Sequence, residues 1–494
     1  MNRFIGFLLL VGASLPVGAQ RLLTLDSCRA LALRNNKQLS VSKLKQEVAS
    51  NIRKSARTKY LPHVSALGTY QYTSEEISLL SNDQKSSLQN LGTNVGSALK
   101  GALAASPSEL MQLATALSAT GSLGALQQMG TGITGLLNSG GQKIVDAFHT
   151  DTRNLWAGSI LVTQPVFMGG SIVAMNKMAE LGEELAANSA EARRQTVAYS
   201  TDQAYWQVVS LKHKKRLAEG FLALVKKLDS DVQKMIQEGV ATRSEGLSVS
   251  VKVSEAEMAV QQVNDGLVLS KMLLCQMMGL PTNEAITLAD EDAENLAVVT
   301  LHPQLNVAQA IENRPELKML DNGVEMSKQA TRIMKAGNLP QVALMGGYAV
   351  SNPSLVNGFE KKFHGFWNVG VLVRVPIWNW GDVMYKVRAS KGATAIASLE
   401  RDEAREKIEL QVNQTTFKVD EANKRLAMAE AGIKRADENL RTANLGFQEG
   451  VISPTVVMEA QTAWLQAQSQ KIDAEISVRL SQVDLQKALG VLAP

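Results

Sequence analysis

Gln237-Glu238-Gly239-Val240 and Gln448-Glu449-Gly450-Val451 are the same tetrapeptide, placed 211 positions apart in a chain of 494 residues. The same separation relates further pairs of identical residues: Trp156 and Trp367, Pro165 and Pro376, Gly279 and Gly490. A register that holds over hundreds of residues is the sequence signature of a duplicated structural unit. The chain is therefore predicted to contain two repeats of one fold.

The register changes toward the N-terminus. There, matching residues lie 278 positions apart: Asn35 and Asn313, Leu61-Pro62 and Leu339-Pro340, Tyr70 and Tyr348. The first repeat therefore carries 67 more residues than the second between Tyr70 and Trp156. We predict an inserted loop at about residues 76–150.

The N-terminus has the pattern of a secretory signal peptide. A basic start is followed by the apolar run Phe4 to Val11, and Val17 and Ala19 precede a predicted cleavage site. The predicted organisation is a signal peptide at 1–19, a first repeat at 20–279, an inter-repeat equatorial segment at 280–302 and a second repeat at 303–494.

Composition excludes several classes of protein. The net charge is only +4 and the basic residues are dispersed, which gives no support for a nucleic-acid partner. Two cysteines, Cys28 and Cys275, cannot form a disulfide framework, and we expect two buried small side chains rather than a single bridge. No segment after the signal peptide has the roughly 20 unbroken apolar residues of a membrane-spanning helix. A membrane crossing would therefore have to use β-strands.

Alternating apolar residues predict two strands in each repeat. Such alternation with aromatic ends is typical of a transmembrane β-strand, although alternation alone favours a half-buried strand of a soluble sheet. Because a very long helix follows each strand pair, we favour the transmembrane interpretation over the soluble sheet. The residues predicted to face lipid are Trp156, Ile160, Val162, Trp367, Val369, Val371 and Val373.

Each strand pair is followed by a stretch without proline, about residues 171–238 and 382–449. At about 1.5 Å per residue, each stretch predicts a helix of roughly 100 Å. Helices of this length need lateral partners along their whole length. The predicted elements of the first repeat are strands at about 62–73 and 155–165, the long helix and a returning helix at about 244–278. Those of the second are strands at about 340–351 and 366–376, the long helix and a returning helix at about 455–489.

These features together resemble the TolC-type outer-membrane efflux proteins over nearly all of the mature chain. The resemblance rests on Asn35-Asn36, the two Leu-Pro strand starts, the two Gly-Val turns and the strand-to-helix junctions Gln164 to Gly170 and Val375 to Gly381. It implies an α+β membrane protein in which a homotrimer forms a twelve-stranded outer-membrane β-barrel, four strands per chain, continued by a long periplasmic α-helical barrel. A shared barrel agrees with the strand count, because single-chain membrane barrels have about eight strands or more.

The resemblance also implies a function and partners. The protein would be the outer-membrane exit duct of a pump that contains an inner-membrane transporter and a periplasmic adaptor, and it would export small molecules such as drugs and toxic compounds. The family's Gly-Val turns lie at the periplasmic tip, where the adaptor docks. This predicts a docking tip formed by Gly239, Val240, Thr242, Gly450, Val451 and Ser453. An acidic residue commonly follows the turn; Glu245 does so here, but Val456 occupies the equivalent position in the second repeat.

No catalytic, cofactor-binding or metal-binding pattern is present in the sequence. The five histidines are far apart, and the chain lacks phosphate-binding and nucleophile motifs. We therefore expect a protein that is not an enzyme and needs no cofactor. Two alternatives remain open, the channel of a type I protein secretion system and a secreted coiled-coil scaffold. The topology that the resemblance implies places the inserted loop at about 76–150 outside the cell, and within it Ser106-Pro107-Ser108-Glu109 predicts a helix start.

Overall fold

The computed structural model describes residues 21–74, 80–104, 123–148, 152–293, 306–354, 356 and 360–492. The predicted signal peptide at 1–19 and the predicted helix start at 106–109 lie outside these residues. The chain divides into two compact units. One contains the described residues up to Ala56, from Val173 to Met334 and from Gly381 onward, and the other contains Arg57–Ile172 and Lys335–Trp380.

The described elements follow in chain order. They are β1 (Arg21–Leu23), α1 (Leu25–Asn35), α2 (Lys37–Thr58), β2 (His63–Tyr72), α3 (Asn82–Gln89), α4 (Leu91–Ala104), α5 (Leu123–Ala147), β3 (Asn154–Met168), α6 (Ser171–Gln237), α7 (Arg243–Met278), β4 (Ile286–Leu288), α8 (Val307–Asn313), α9 (Pro315–Ala336), β5 (Gln341–Asn352), β6 (His364–Arg374), α10 (Asp382–Gln448) and α11 (Pro454–Ala488).

The first unit is helical and is organised by two helices of equal length. Helices α6 and α10 each have 67 residues, and each returns through a helix of 36 or 35 residues, α7 or α11. Neither long helix contains proline, so no backbone donor is missing along its length. The two repeats therefore produce the same helical hairpin.

The largest core of the helical unit surrounds the middle of α6. Tyr205, Val208 and Val209 are fully buried and pack in one cluster with Leu274 and Met278 of α7. Residues of β1 and β4 join the same cluster, and these two short strands pair in parallel, Leu22 opposite Thr287. This packing explains how the segment between the repeats is held, since β4 lies within it.

A buried ion pair fixes α1 against α6. Nε and Nη2 of Arg29 each donate to a carboxylate oxygen of Asp202 at 2.6 Å, and the Asp202 side chain has no exposed surface. A bidentate contact of this kind satisfies both oxygens of a carboxylate that burial would otherwise leave unsolvated.

The second unit contains a four-stranded antiparallel sheet in the order β2-β3-β5-β6. The strands of the first repeat pair with each other, those of the second do likewise, and β3 joins β5 across the repeats. Every residue of β2 is exposed, and so is almost every residue of β6.

The two prolines that follow alternating runs have different effects on strand length. The sequence predicted strand ends near residues 165 and 376. Strand β3 instead continues to Met168 through a register shift between Pro165 and Phe167, whereas β6 ends at Arg374, before Pro376. Proline cannot donate to a ladder, so it is accommodated either at an irregularity or beyond the strand end. Pro165 therefore lies at an irregularity within its strand, whereas the equivalent Pro376 lies beyond the end of its strand.

The described part of the insertion is helical. Helices α3, α4 and α5 lie together, and the Asn138 side-chain oxygen accepts hydrogen bonds from the backbone N–H groups of Gly92 at 2.7 Å and Thr93 at 3.2 Å. These contacts tie α5 to the first turn of α4. The inserted segment thus forms local structure of its own between β2 and β3.

Cys28 and Cys275 are free thiols, and both are fully buried in the core around α6. Burial raises the pKa of the Cys28 thiol to about 12. In the described part of the chain, no helix combines the length and apolar character needed to cross a membrane. The same residues contain no group of three or more histidine, cysteine, aspartate or glutamate side chains arranged to hold a metal ion.

Candidate lipid-facing sheet and helical tip

The register of the sheet brings the predicted apolar residues of all four strands onto one face. Ile160 lies between Ala66 and Tyr348, and Tyr348 lies opposite Trp367. The next row on the same face contains Val64, Val162, Gly346 and Val369. Residues that pair directly across a ladder point to the same side, so the alternation in each strand adds up to one continuous surface.

This apolar face is exposed in the single chain. The exposed fractions are 76% for Trp367 and Val369, 62% for Val371 and 57% for Val373. Trp156 and Ile160 are each half exposed. A continuous exposed face of apolar residues is typical of an interaction or membrane site rather than of a water-facing sheet. All seven residues predicted to face lipid therefore belong to one exposed surface.

Aromatic side chains collect near one end of this surface. Tyr70 and Trp156 are paired across β2 and β3, with ring centroids 4.4 Å apart, and the Tyr70 hydroxyl donates to Asn154. Tyr348 extends over Gly365, where an added Cβ would lie 1.9 Å from the tyrosine oxygen. Aromatic residues of this kind mark the interface between apolar lipid and water in transmembrane sheets.

The turns between the long and returning helices have the same geometry in both repeats. Gly239 and Gly450 have φ angles of 74° and 72°, in the left-handed region. The Val240 N–H donates to the Met235 carbonyl at 2.8 Å, and the Val451 N–H donates to Gly446 at 2.8 Å. These bonds, together with those from the glycine N–H groups, form the Schellman helix end that favours glycine.

Both valines of the turns point into open space. Val240 is 72% exposed and Val451 is 82% exposed. Below them, residues from both hairpins share one buried cluster, which includes Val232, Val249 and Val457. The structure thus brings the two predicted turns to the same end of the helical unit and leaves an apolar side chain exposed on each.

The helices that leave the two turns begin differently. Thr242 and Glu245 form a reciprocal capping box, in which the Thr242 N–H donates to Glu245 Oε2 at 2.7 Å and the Glu245 N–H donates to Thr242 Oγ1 at 3.3 Å. The bonds that the Thr242 N–H and hydroxyl donate to the Glu245 carboxylate lower the pKa of that carboxyl. Ser453 makes no side-chain cap bond, and Pro454 occupies the first turn of α11 instead. Glu245 therefore completes its own helix start, a role that the spacing Thr-x-x-Glu could have predicted.

Sequence reasoning missed one further exposed group. Ile377, Trp378 and Trp380 follow β6 and are 92%, 75% and 86% exposed. The signal that could have found them is the repeat register, which places Trp380 at the position of Gly169.

Comparison with known proteins identifies the fold. The chain resembles the outer membrane protein VceC of Vibrio cholerae, with 14% identity, a TM-score of 0.71 and coverage of 94% of this chain and 96% of that one. The CmeC outer membrane channel of Campylobacter jejuni gives 13% identity, a TM-score of 0.72 and coverage of 94% and 85%. The open state of the Neisseria gonorrhoeae MtrE outer membrane channel gives 14% identity, a TM-score of 0.67 and coverage of 94% of this chain and 89% of that one. No curated relative matches the chain by sequence.

A family model matches the second part of the chain by sequence. Residues 306–491, nearly all of the second repeat, match the family model described as outer membrane efflux protein. The expected TolC-type fold, with long helices and an antiparallel sheet, is confirmed. The second repeat thus matches the outer membrane efflux protein family by sequence, and the chain shares the fold of solved outer-membrane channels.

Proposed function

We propose that this protein is the exit duct of a tripartite efflux pump and that three copies close one channel through the outer membrane. The family that the second repeat matches is one of outer-membrane efflux channels, which supports a passive conduit rather than an enzyme. The proposed partners are a periplasmic adaptor and an inner-membrane transporter, which supplies the energy. The proposed cargo is small toxic molecules, including drugs.

The two open edges of the sheet are the observation that supports assembly of several copies into one barrel. Strands β2 and β6 are the two edge strands and each has one partner in the single chain. Neither contains proline or lysine, two of the devices by which soluble proteins protect an edge. A long exposed edge without protection is suited to pairing with another chain.

The directions of the edge strands allow this pairing to close. Because all neighbours are antiparallel and the sheet has four strands, β2 and β6 run in opposite directions. Strand β2 of one copy can therefore pair antiparallel with β6 of the next, and the ladder continues around a ring. Three copies would supply twelve strands, an even number within the range known for bacterial outer-membrane barrels.

In this assembly the exposed apolar face would meet lipid. Trp156, Ile160 and Val162 would lie beside Trp367, Val369, Val371 and Val373 of the same chain in an outward band. The opposite face mixes polar residues such as Ser65, Thr69, Ser159 and Asn368 with apolar ones such as Leu67, Leu161 and Leu372, and it is more polar than the face proposed to meet lipid. A polar interior and an apolar exterior are what a conducting barrel requires.

The helical tip is proposed as the adaptor-docking end. Gly239, Val240 and Thr242 of the first turn and Gly450, Val451 and Ser453 of the second would present two similar but unequal sites per chain. The exposed valines supply apolar contact, and the rigid helix ends below them hold it in place.

Trimer formation and conduction test this proposal together. The mature protein should require detergent for extraction, have the mass of three copies by native mass spectrometry and form conducting pores in planar lipid bilayers. Loss of the gene should raise sensitivity to toxic small molecules without changing the set of secreted proteins. A detergent-independent monomer without pore activity would contradict the duct, and loss of one secreted protein alone would favour the secretion channel.

A further inference from the structure

Within one chain, the long helix α6 of the first repeat contacts two helices of the second repeat, α9 and α11. The Asn322 side-chain N–H of α9 donates to the Leu181 carbonyl and to Glu184 Oε2, each at 3.2 Å. Further along α6, the Tyr199 hydroxyl donates to Asp484 of α11 at 2.7 Å. All these contacts lie within the helical unit. The first repeat therefore meets the second along its long helix.

Two further contacts between α6 and α11 continue this line. The guanidinium carbon of Arg479 lies 5.4 Å from the centre of the Trp206 ring, and Lys214 Nζ lies 2.6 Å from a carboxylate oxygen of Asp473. Trp206 is buried in the single chain. The contact between the two repeats is thus lined by charged and aromatic side chains.

The equivalent positions of α10, the long helix of the second repeat, are exposed and apolar. The register of 211 residues relates Tyr199 to Leu410 and Trp206 to Phe417, and these two side chains are 56% and 65% exposed. They are seven residues apart, or about two helical turns, and so lie on the same side of α10. The side that α6 presents to the other repeat is therefore open on α10.

The positions of the first repeat that correspond to α11 are exposed as well. Asp484 and Arg479 of α11 are related to Leu273 and Val268 of α7, which are 49% and 45% exposed. Here too, apolar side chains occupy the positions of polar ones. The first repeat thus carries an exposed counterpart of each surface that the second repeat uses inside the chain.

Helix α2 has the same relationship to α9. Both helices have 22 residues, and they begin 278 positions apart. Asn322, which is buried where it contacts α6, corresponds to Leu44 of α2, which is exposed. Leu44 belongs to a row of exposed apolar side chains at helical spacing, formed by Val41, Leu44, Val48 and Ile52. A row of this kind is suited to packing against another helix.

On the basis of the proposed function, we propose that the exposed side of α10 binds α2 and α7 of the next copy of this chain, as α6 binds α9 and α11 within a chain. A head-to-tail contact between copies forms a ring when its rotation closes. In a ring of three duplicated chains, three contacts between repeats lie inside the chains and three lie between chains. The pairs assigned to the second kind are Leu410 with Leu273 and Phe417 with Val268, and we call them the subunit seam.

The subunit seam differs in chemistry from the contact that it resembles. The pair Leu410 and Leu273 replaces Tyr199 and Asp484, so packing replaces a hydrogen bond. If α10 met α11 of another copy, Leu410 would lie against Asp484 and remove water from a carboxylate without supplying a donor, which is unfavourable. The two chemistries therefore favour α7 over α11 as the partner of α10, and this preference fixes the order of repeats around the ring.

Site-directed cross-linking of detergent-solubilised trimers tests the seam. Leu410→Cys/Leu273→Cys is treated with a short bis-maleimide, and Tyr199→Cys/Asp484→Cys, the equivalent pair inside one chain, is the matched control. On denaturing gels, the seam pair should give covalent dimers and trimers. The control pair should stay at the mass of one chain.

The number of copies, measured by native mass spectrometry on the same samples, separates failure of the seam from failure of the duct. The parent protein is the blank for the reagent, since Cys28 and Cys275 are fully buried. Trimers in which the seam pair links only within one chain, or does not link, would overturn the seam and leave the exit duct intact. A parent that forms no trimers would contradict the proposed function and the seam together.

A charge pair tests the seam without a cross-linker. Phe417→Glu and Val268→Lys each place a charge against an apolar partner, so each should lower the temperature at which trimers dissociate. Phe417→Glu/Val268→Lys should recover most of this loss at low ionic strength and less of it in concentrated salt, whereas the parent seam has no charge to screen. Single variants as stable as the parent, or no recovery in the combined variant at low salt, would overturn the pairing of these two residues.

Discussion

Gly279 closes directly onto Asn35, so the end of the returning helix α7 and the end of α1 are held together. A Cβ at position 279 would lie 2.6 Å from the Asn35 Cβ, and the Asn35 side-chain N–H donates to the Met278 carbonyl at 3.0 Å. In the second repeat, Gly490 approaches Asn313 in the same way, with 3.0 Å from an added Cβ to the Asn313 carbonyl carbon. One glycine and one asparagine thus approach each other closely in each repeat.

The substitution Gly279→Ala should destabilise the fold through two separate effects. The φ angle of 71° is unfavourable for alanine by about 1–2 kcal/mol, and the contact with Asn35 adds a further ~1–3 kcal/mol of overpacking. Gly239→Ala is a matched control, since its φ is 74° and no atom lies within 4 Å of an added Cβ. The midpoint of thermal unfolding should fall more for Gly279→Ala than for Gly239→Ala. Equal shifts would show that the contact with Asn35 costs nothing.

The repeat register carried most of what could be predicted from sequence. It related Gly239 to Gly450 and Trp156 to Trp367, because a duplicated fold repeats its special backbone angles and its surface pattern. Trp380 shows what the register does not reveal. It shares a positive φ angle with its counterpart Gly169 although the two residues differ. The strand ends at Pro165 and Pro376 differed from expectation because an irregularity and a strand end accommodate proline equally well.

The pairing of β3 with β5 required the structure. Alternation in each strand predicts which residues share a face of that strand, but the joining of the faces depends on register between strands that are far apart in sequence. Ile160 opposite Tyr348 is such a relationship. The capping box of Thr242 and Glu245 could be predicted from sequence spacing alone, whereas the hydrogen bond from Asn379 to Asn338 joins residues 41 positions apart and required the structure.

A charge on the exposed apolar face should prevent stable insertion into a membrane. Val369→Arg places a guanidinium at a position that is 76% exposed in the chain and is proposed to face lipid. The expected cost is about 2–4 kcal/mol near the bilayer centre. Leu372→Arg is the matched control on the opposite face of the same strand, at 51% exposure, and it should be tolerated. Urea titration of folding into lipid vesicles measures both variants, and equal costs would contradict the assignment of the lipid face.

Changes at the helical tip should weaken adaptor binding without unfolding the protein. Val240→Asp/Val451→Asp replaces two side chains that are 72% and 82% exposed and do not contribute to the core, so the unfolding midpoint should stay within a degree or two. Loss of apolar contact should reduce adaptor binding by about tenfold or more, since a central apolar anchor contributes about 2 kcal/mol. Val356→Asp, at 59% exposure in the other unit, is the control.

Bulky residues at the turn glycines provide an independent test of the same site. Gly239→Val/Gly450→Val should impair efflux in cells because β-branched residues resist the left-handed conformation that both turns require. Efflux measured by retention of a fluorescent substrate should fall toward that of a strain without the gene. Unchanged retention in this double variant would remove the turns from the docking mechanism.

Acid should loosen the first helical turn of α7 before that of α11. Hydrogen bonds from the Thr242 N–H and hydroxyl lower the pKa of Glu245 below its unfolded value of about 4.3. A lowered carboxyl pKa contributes stability at pH values above the unfolded pKa, and this contribution is lost as pH falls through the folded pKa. Ser453 makes no side-chain cap bond at the equivalent position, so α11 has no corresponding carboxylate to protonate. Hydrogen exchange of the two tip peptides, corrected for intrinsic rates, should therefore diverge below about pH 4.

Glu245→Gln separates the charge from the hydrogen bonds in this acid response. Glutamine can accept the same bonds from Thr242, as in other capping boxes, but it does not titrate. The variant should keep partial protection of the α7 tip at neutral pH and lose the divergence between the two tips on acidification. The glutamates that precede the turns, Glu238 and Glu449, are equivalent in the two repeats, so their protonation affects both tips alike. If the parent and Glu245→Gln respond to acid in the same way, protonation of Glu245 does not control the stability of this helix start.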